Sequence, residues 1–289
     1  MIEEKRLGCW AEFKNEIARI REKYGYHQVT IPEDIDLAKG AELAGTRVYR
    51  RKNTVLFRGQ SDASWPIQTT LERKTDSRPI HIAEYVTYAD YCVNEIESFT
   101  GRSWEVHNHD ERAREIRETN DDIRAHLPAY AYLVYLRHHG FPSPFVDWSE
   151  SPYIAAFFAF WEKSRAEDVA IFTYIESIDG GRSLLGGAPM ISVQGPYVTT
   201  HQRHFAQKTW YTIATQWEEK EERNYFCSHM DVFRKPDPDQ DILIKIILSS
   251  RVRKEALREL SDYNINPFTL FQTEDAFIRT MELKQFDLE

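Results

Sequence analysis

TVLFRGQSDASWPIQTTLER, residues 54–73, opens on a short apolar run that ends in an arginine and a glycine. Alternation predicts a strand over residues 47–59, with Tyr49, Val55 and Phe57 on one face, Val48, Leu56 and Arg58 on the other, and Gly59 as its stop. A strand facing a core would carry valine or leucine at position 58. Arginine is suited instead to bidentate contact with a phosphate or a carboxylate, and the neighbouring glycine would let a ligand approach the backbone. The competing reading pairs Arg58 with a carboxylate of the chain itself. Residues 47–59 alone leave both open.

The 289 residues are enough for one large domain or two small ones, and 42% hydrophobic residues can fill a sizeable core. No apolar run approaches the roughly 20 residues of a membrane span. The opening MIEEKRLGCWAEF lacks a basic stretch followed by an apolar one, so the expected compartment is the cytoplasm. Three scattered cysteines, Cys9, Cys92 and Cys227, suggest neither a disulfide framework nor a zinc ribbon. A net charge of -9 argues against a basic nucleic-acid-binding domain, although Arg47, Arg50, Arg51 and Lys52, and then Arg251, Arg253 and Lys254, form local basic clusters.

Trp10, Phe13, Ile17 and Ile20 recur at helical spacing, so residues 9–24 are expected as an amphipathic helix in an N-terminal helical extension spanning 1–46. Helices are also predicted over 82–99, 112–124, 127–139 and 251–260, and strands over 169–175, 191–193, 210–214 and 242–248. Strands and helices do not alternate regularly, which favours an α+β fold over a doubly wound sheet. The charged run WEEKEERN marks an exposed insertion near 217–240. His107 and His109 lack further ligands at recognisable spacing, and no metal is expected.

Two more stretches contain residue types that a core does not need. RHHGFPSPFVDWSESPYIAAFFAFW, residues 137–161, joins a helix end to a buried helix that starts at Ser151-Pro152, a place where free N–H groups could hold an anion. Taken by itself, this stretch is better explained by simple capping with a tryptophan in the core. RHFAQKTWYT, residues 203–212, sets Gln207 at the entry to an aromatic strand, where a buried amide needs partners.

Taken in order, these stretches resemble the FRG domain family, named for the Phe-Arg-Gly string found here at Phe57 to Gly59. An FRGQ start is followed by Trp65 and Leu71. A block similar to QHYGLPTRLLDWTxSPLxALYFA matches residues 137–159, and an RxxAQxGxFT string matches Arg203, Ala206, Gln207, Tyr211 and Thr212. An echo of the family's end lies at Asn264 to Asn266 and Leu270-Phe271. The resemblance covers roughly 47–277, so 47–289 is expected to be a single catalytic FRG domain. Departures cluster around the likeness: Arg137 replaces a glutamine, His139 a tyrosine, Ser143-Pro144 a threonine-arginine pair and Thr209 a glycine.

The family in turn looks like a divergent ADP-ribosyltransferase. That implies an α+β fold with a mixed or antiparallel core, NAD as substrate and no metal. It further implies Arg58, Ser149 and Gln207 as catalytic residues, with Arg58, Gly59, Gln60, His138, Asp147, Trp148, Ser149 and Ser151 around the dinucleotide. Arg58 would clamp the pyrophosphate, and Ser149 and Ser151 would hold the nicotinamide ribose. Gln207 would face the anomeric carbon, but an amide cannot supply the negative charge that an oxocarbenium-like state calls for, which makes Asp147 and Glu150 the nearest carboxylates to consider. Relatives of this kind occur in bacterial anti-phage and toxin-antitoxin systems. The resemblance therefore implies a toxin that modifies an RNA, DNA or protein acceptor, with an antitoxin protein as partner. A non-catalytic module that binds a nucleotide or phospho-ligand is the alternative, and a hydrolase built on His138, His139 and Asp147 is a third.

Overall fold

The computed structural model describes residues 2–32, 46–104, 127, 129–181, 187–195, 198, 203–235 and 237–288. His107, His109 and the helix expected over 112–124 lie outside them. The first part of the chain runs β1 (Ile2–Leu7), α1 (Trp10–Tyr24), β2 (Tyr26–Pro32), β3 (Thr46–Lys52), β4 (Val55–Gln60), α2 (Thr70–Lys74), β5 (Ile80–His81), α3 (Ile82–Asp90) and α4 (Val93–Thr100). Then come α5 (Tyr130–His138), β6 (Val146–Ser149), α6 (Pro152–Phe160), β7 (Asp168–Ser177), β8 (Met190–Gln194), α7 (Arg203–Gln207), β9 (Thr209–Glu218) and β10 (Arg223–Phe226). The last elements are α8 (His229–Phe233), β11 (Gln240–Ser249), α9 (Arg253–Asp262), α10 (Pro267–Phe271) and α11 (Glu274–Glu282).

Among the described residues nine strands make one mixed sheet in the order β1-β11-β7-β4-β6-β9-β10-β5, with β8 also on β9, while β2 and β3 pair separately. The β1–β11 pairing is parallel, and β11–β7, β7–β4, β4–β6 and β6–β9 are antiparallel. Helices and strands thus surround a mixed sheet, in keeping with the α+β expectation at that level.

Central strands are covered on both faces, so their apolar residues run on instead of alternating. In β4, Phe57 joins a core with α1, α6 and α9, whereas Leu56 joins another with Trp148, Phe172 and Tyr174. A third core gathers α3, α5 and the strand residues Tyr211, Ile213 and Phe226.

Three expectations change. The strand read over 47–59 is two strands, because Asn53 is buried at the break; its amide donates to the carbonyls of Tyr24 and Ile178, and its N–H to that of Gly25. The segment 1–46 is no purely helical extension: β1 completes the sheet edge on β11, and the indole of Trp10 donates to Glu259 of α9 at 2.9 Å. The parity of Ile2–Leu7 had no apolar face to reveal it, since β1 is a half-exposed edge strand. The segment near 217–240, expected as an exposed insertion, is exposed along its charged run and partly buried beyond it. Its charged run is the turn of the β9–β10 hairpin, and Phe226 and Phe233 are buried in the cores.

Candidate functional site

The sheet splits between β4 and β6. These strands share one residue pair, Phe57 with Ser149. Beyond it β4 stays with β7 as far as Gln60 opposite Ala170, and β6 stays with β9 as far as Val146 opposite Thr212. The parting strands leave a cavity of about 840 Å³, within the size range of small-molecule and cofactor sites. It brings together Arg58, Gly59, Gln60, His138, Asp147, Trp148, Ser149 and Gln207. Residues as far apart in sequence as Phe57 and Tyr211 converge here because β4, β6 and β9 are neighbours in the sheet.

Ser151 is not part of this lining. Its hydroxyl accepts the Ile154 N–H at 3.4 Å and caps α6, as the serine-proline start predicts. Ser149 is buried and fully engaged, donating to the Gln207 carbonyl at 2.7 Å and accepting the Ser151 N–H at 3.1 Å. The Gln207 amide donates to the Leu270 carbonyl at 3.0 Å, which ties the site to α10. Glu150 does not line the cavity and stands 3.6 Å from the Lys52 ammonium.

The electrostatics centre on Asp147. Arg137 grips it with two donors, Nε to Oδ1 at 2.5 Å and a terminal nitrogen to Oδ2. Burial pushes the Asp147 carboxyl up, but the guanidiniums of Arg137 and Arg58 more than offset it and hold the group below the usual carboxylate range. Arg58 is less well served. One of its terminal nitrogens donates to the Asp147 main-chain carbonyl at 2.9 Å, and the same nitrogen lies 3.9 Å from Oδ2. Its Nε is buried without a partner among the described residues. Burial lowers the Arg58 pKa, only partly countered by Asp147 and reinforced by Arg137 and Arg73. A half-buried cation with a buried, unused donor is costly in isolation and is suited to an incoming anion.

Arg73 and Arg137 were not singled out as site residues from the sequence, although both stand in the quoted stretches 54–73 and 137–161. Counting the cations of those stretches together was the available signal. Tyr211 and His204 were missed as well. The Nε2 atoms of His138 and His204 lie 2.8 Å apart, and the Tyr211 hydroxyl is 3.1 Å from the first and 3.2 Å from the second. Burial, with Asp147 nearby, raises the Tyr211 hydroxyl well above its ordinary pKa, so it acts as a neutral phenol.

Trp148 is oriented from behind. Its indole donates to the Thr212 hydroxyl at 2.8 Å, which leaves the threonine proton for Nε2 of His229 at 2.9 Å. Of the basic clusters, Arg253 is held by the carbonyls of Phe160 and Trp161 and by Asp287, while Arg51 and Lys52 line a separate cavity of about 310 Å³ beside Glu176.

Comparison with protein families gives a match to the FRG domain over residues 53–168. Residues 53–168 are therefore similar to the FRG domain, in the part of the chain that contains the Phe57-Arg58-Gly59 string. The matched segment carries most of the cavity lining, Arg58, Arg73, Arg137, His138, Asp147 and Ser149 included, while Gln207, Thr209 and Tyr211 come from chain beyond it. The match is shorter than the 47–289 read from the resemblance. No curated protein and no solved structure matched the chain. Among the described residues no group of three or more His, Cys, Asp or Glu side chains converges as a metal site, and no helix is long and apolar enough to cross a membrane.

Proposed function

We propose that this protein is an ADP-ribosyltransferase that consumes NAD and modifies an intracellular macromolecule, with the cavity between β4 and β6 as the dinucleotide site. The observation that carries the proposal is Arg58, a half-buried guanidinium whose Nε has no partner among the described residues, in a cavity of about 840 Å³ that also contains Arg73 and Arg137. A pyrophosphate meets those needs. Trp65, 53% exposed on the cavity wall, offers a face on which a base could stack. The adjacency of Arg58 on β4, Ser149 at the end of β6 and Gln207 just before β9 supports an ADP-ribosyltransferase-like arrangement.

In the proposed reaction the bond between nicotinamide and ribose breaks, nicotinamide leaves with the electron pair, and the acceptor's nucleophile bonds to the anomeric carbon and loses its proton. Asp147 is the carboxylate of the described lining that could face the developing positive charge. Ser149 and Gln207 position the corner through main-chain carbonyls. The acceptor and an antitoxin that covers the cavity follow from the family resemblance.

The test is incubation of the chain with adenine-labelled NAD and cell lysate. Release of nicotinamide and transfer of label, both lost in Arg58→Ala, is the expected result; a folded wild-type protein that does neither overturns the proposal. A second reading, a nucleotide-binding module without turnover, is favoured by one observation: Asp147 is already neutralised by Arg137. It predicts NAD binding with no nicotinamide released.

A further inference from the structure

The site contains a conflict. Its lining carboxylate is held in the guanidinium fork of Arg137, where it can neither stabilise a ribosyl cation nor leave the fork open to phosphate. We propose that Asp147 is a displaceable internal anion, occupying the Arg137 fork until the phosphates of a ligand take its place and thereby free its carboxylate to face the ligand's ribose. The inference rests on the reading of the cavity as a site for a phosphate-bearing nucleotide.

Three features point to exchange and not to a permanent ion pair. The Asp147 side chain is 41% accessible and that of Arg137 only 13%, so the carboxylate is the member of the pair that meets the cavity, with the guanidinium behind it. Two parallel N–H donors spaced for a carboxylate are equally spaced for two phosphate oxygens. Arg58 reaches the same place with spare capacity: a hydrogen bond goes to the Asp147 main chain, the carboxylate is 3.9 Å away, and Nε has no partner among the described residues.

The charges agree. Arg58, Arg73 and Arg137 against Asp147 leave three minus one, or two, positive charges in the cavity, and the pyrophosphate of a dinucleotide carries two negative ones. Arg137 loses nothing in hydrogen bonding when phosphate replaces carboxylate. Asp147, on a short side chain, is released beside the ligand.

The experiment uses inorganic pyrophosphate and ADP as probes, titrated calorimetrically into the full chain. Asp147→Asn removes the competing charge and should bind pyrophosphate more tightly than wild type, on the order of tenfold. Asp147→Glu keeps the charge and should stay within a few-fold of wild type. Arg137→Gln combined with Asp147→Asn should lose the gain, because the fork itself contacts the ligand. Thermal unfolding establishes that each variant is folded. If Asp147→Asn does not fold, the wild-type protein still gives the answer: the Arg137 Nε–H signal in a proton–nitrogen NMR spectrum should move as pyrophosphate saturates. Binding by Asp147→Asn alone also supports the proposal. A folded Asp147→Asn that binds no tighter than wild type, an Arg137 signal unmoved at saturation, or no binding by either protein overturns it. Nicotinamide release from NAD, which decides the proposed function, enters none of these measurements.

Discussion

Gly59 and Ala155 are in contact through backbone. A Cβ added at Gly59 would stand 1.9 Å from the Ala155 carbonyl oxygen and 2.6 Å from the Ala159 nitrogen. The glycine beside Arg58 therefore makes room for α6 to cross β4, whatever it also offers the cavity that it lines. Because the obstacle is backbone on both sides, relief requires moving a helix. Gly59→Ala should destabilise the protein by about 3 kcal/mol, the upper end of overpacking penalties, as read by urea unfolding. A change below about 0.5 kcal/mol, the range of neutral surface substitutions, would show that α6 is free to shift.

The His138–His204 contact constrains protons. At 2.8 Å between Nε2 atoms, one must donate and the other accept. Nitrogen-15 spectra of the two imidazoles at neutral pH should show one Nε2 protonated and one bare, with both signals displaced in Tyr211→Phe. Identical protonation at both Nε2 atoms contradicts the geometry.

His229 links stability to pH. Burial lowers its pKa to about 3, so the unfolded chain, with an ordinary histidine, binds the proton that the folded chain refuses. The contribution is fully present above the unfolded pKa near 6.5 and is lost progressively as pH falls toward the folded value. From pH 7 to pH 5 this group alone should cost about 2 kcal/mol of unfolding free energy. His229→Gln, which can still accept from Thr212, should remove that share of the slope in urea titrations at the two pH values. Parallel slopes in both proteins would mean that His229 does not carry it.

Residues 2–7 should be indispensable to the sheet. β1 pairs with β11 from Ile2 opposite Leu243 to Leu7 opposite Leu248. Removing β1 bares the backbone of a strand whose Ile242, Leu243, Ile244 and Ile246 are buried, and an open apolar edge invites association. A chain lacking residues 2–7 is expected to melt at lower temperature and elute as larger species in size-exclusion chromatography. A monomer with an unchanged melting temperature would make β1 dispensable.

Local pattern was legible where one element decides its own conformation. The helical spacing of Trp10, Phe13, Ile17 and Ile20 and the Ser151 cap of α6 appear as read, and the apolar run at 242–248 lies inside β11. The FRG string and its companion stretches led to the cavity residues, apart from Ser151, which its cap position could have excluded. β1 and β6 went unread because four to six residues with mixed polarity carry no periodic signal; their partners across the sheet make them strands.

The amino-acid sequence by itself determined which residue types were available to a site: the arginine at the end of an apolar run, the Asp-Trp-Ser corner and the glutamine before an aromatic strand. Only the tertiary structure decided their relations. Whether Arg58 or Arg137 takes the Asp147 carboxylate, and whether Gly59 meets a helix, depends on where strands part and helices cross. Those distances are set by contacts among segments far apart in the chain, and no local pattern encodes them.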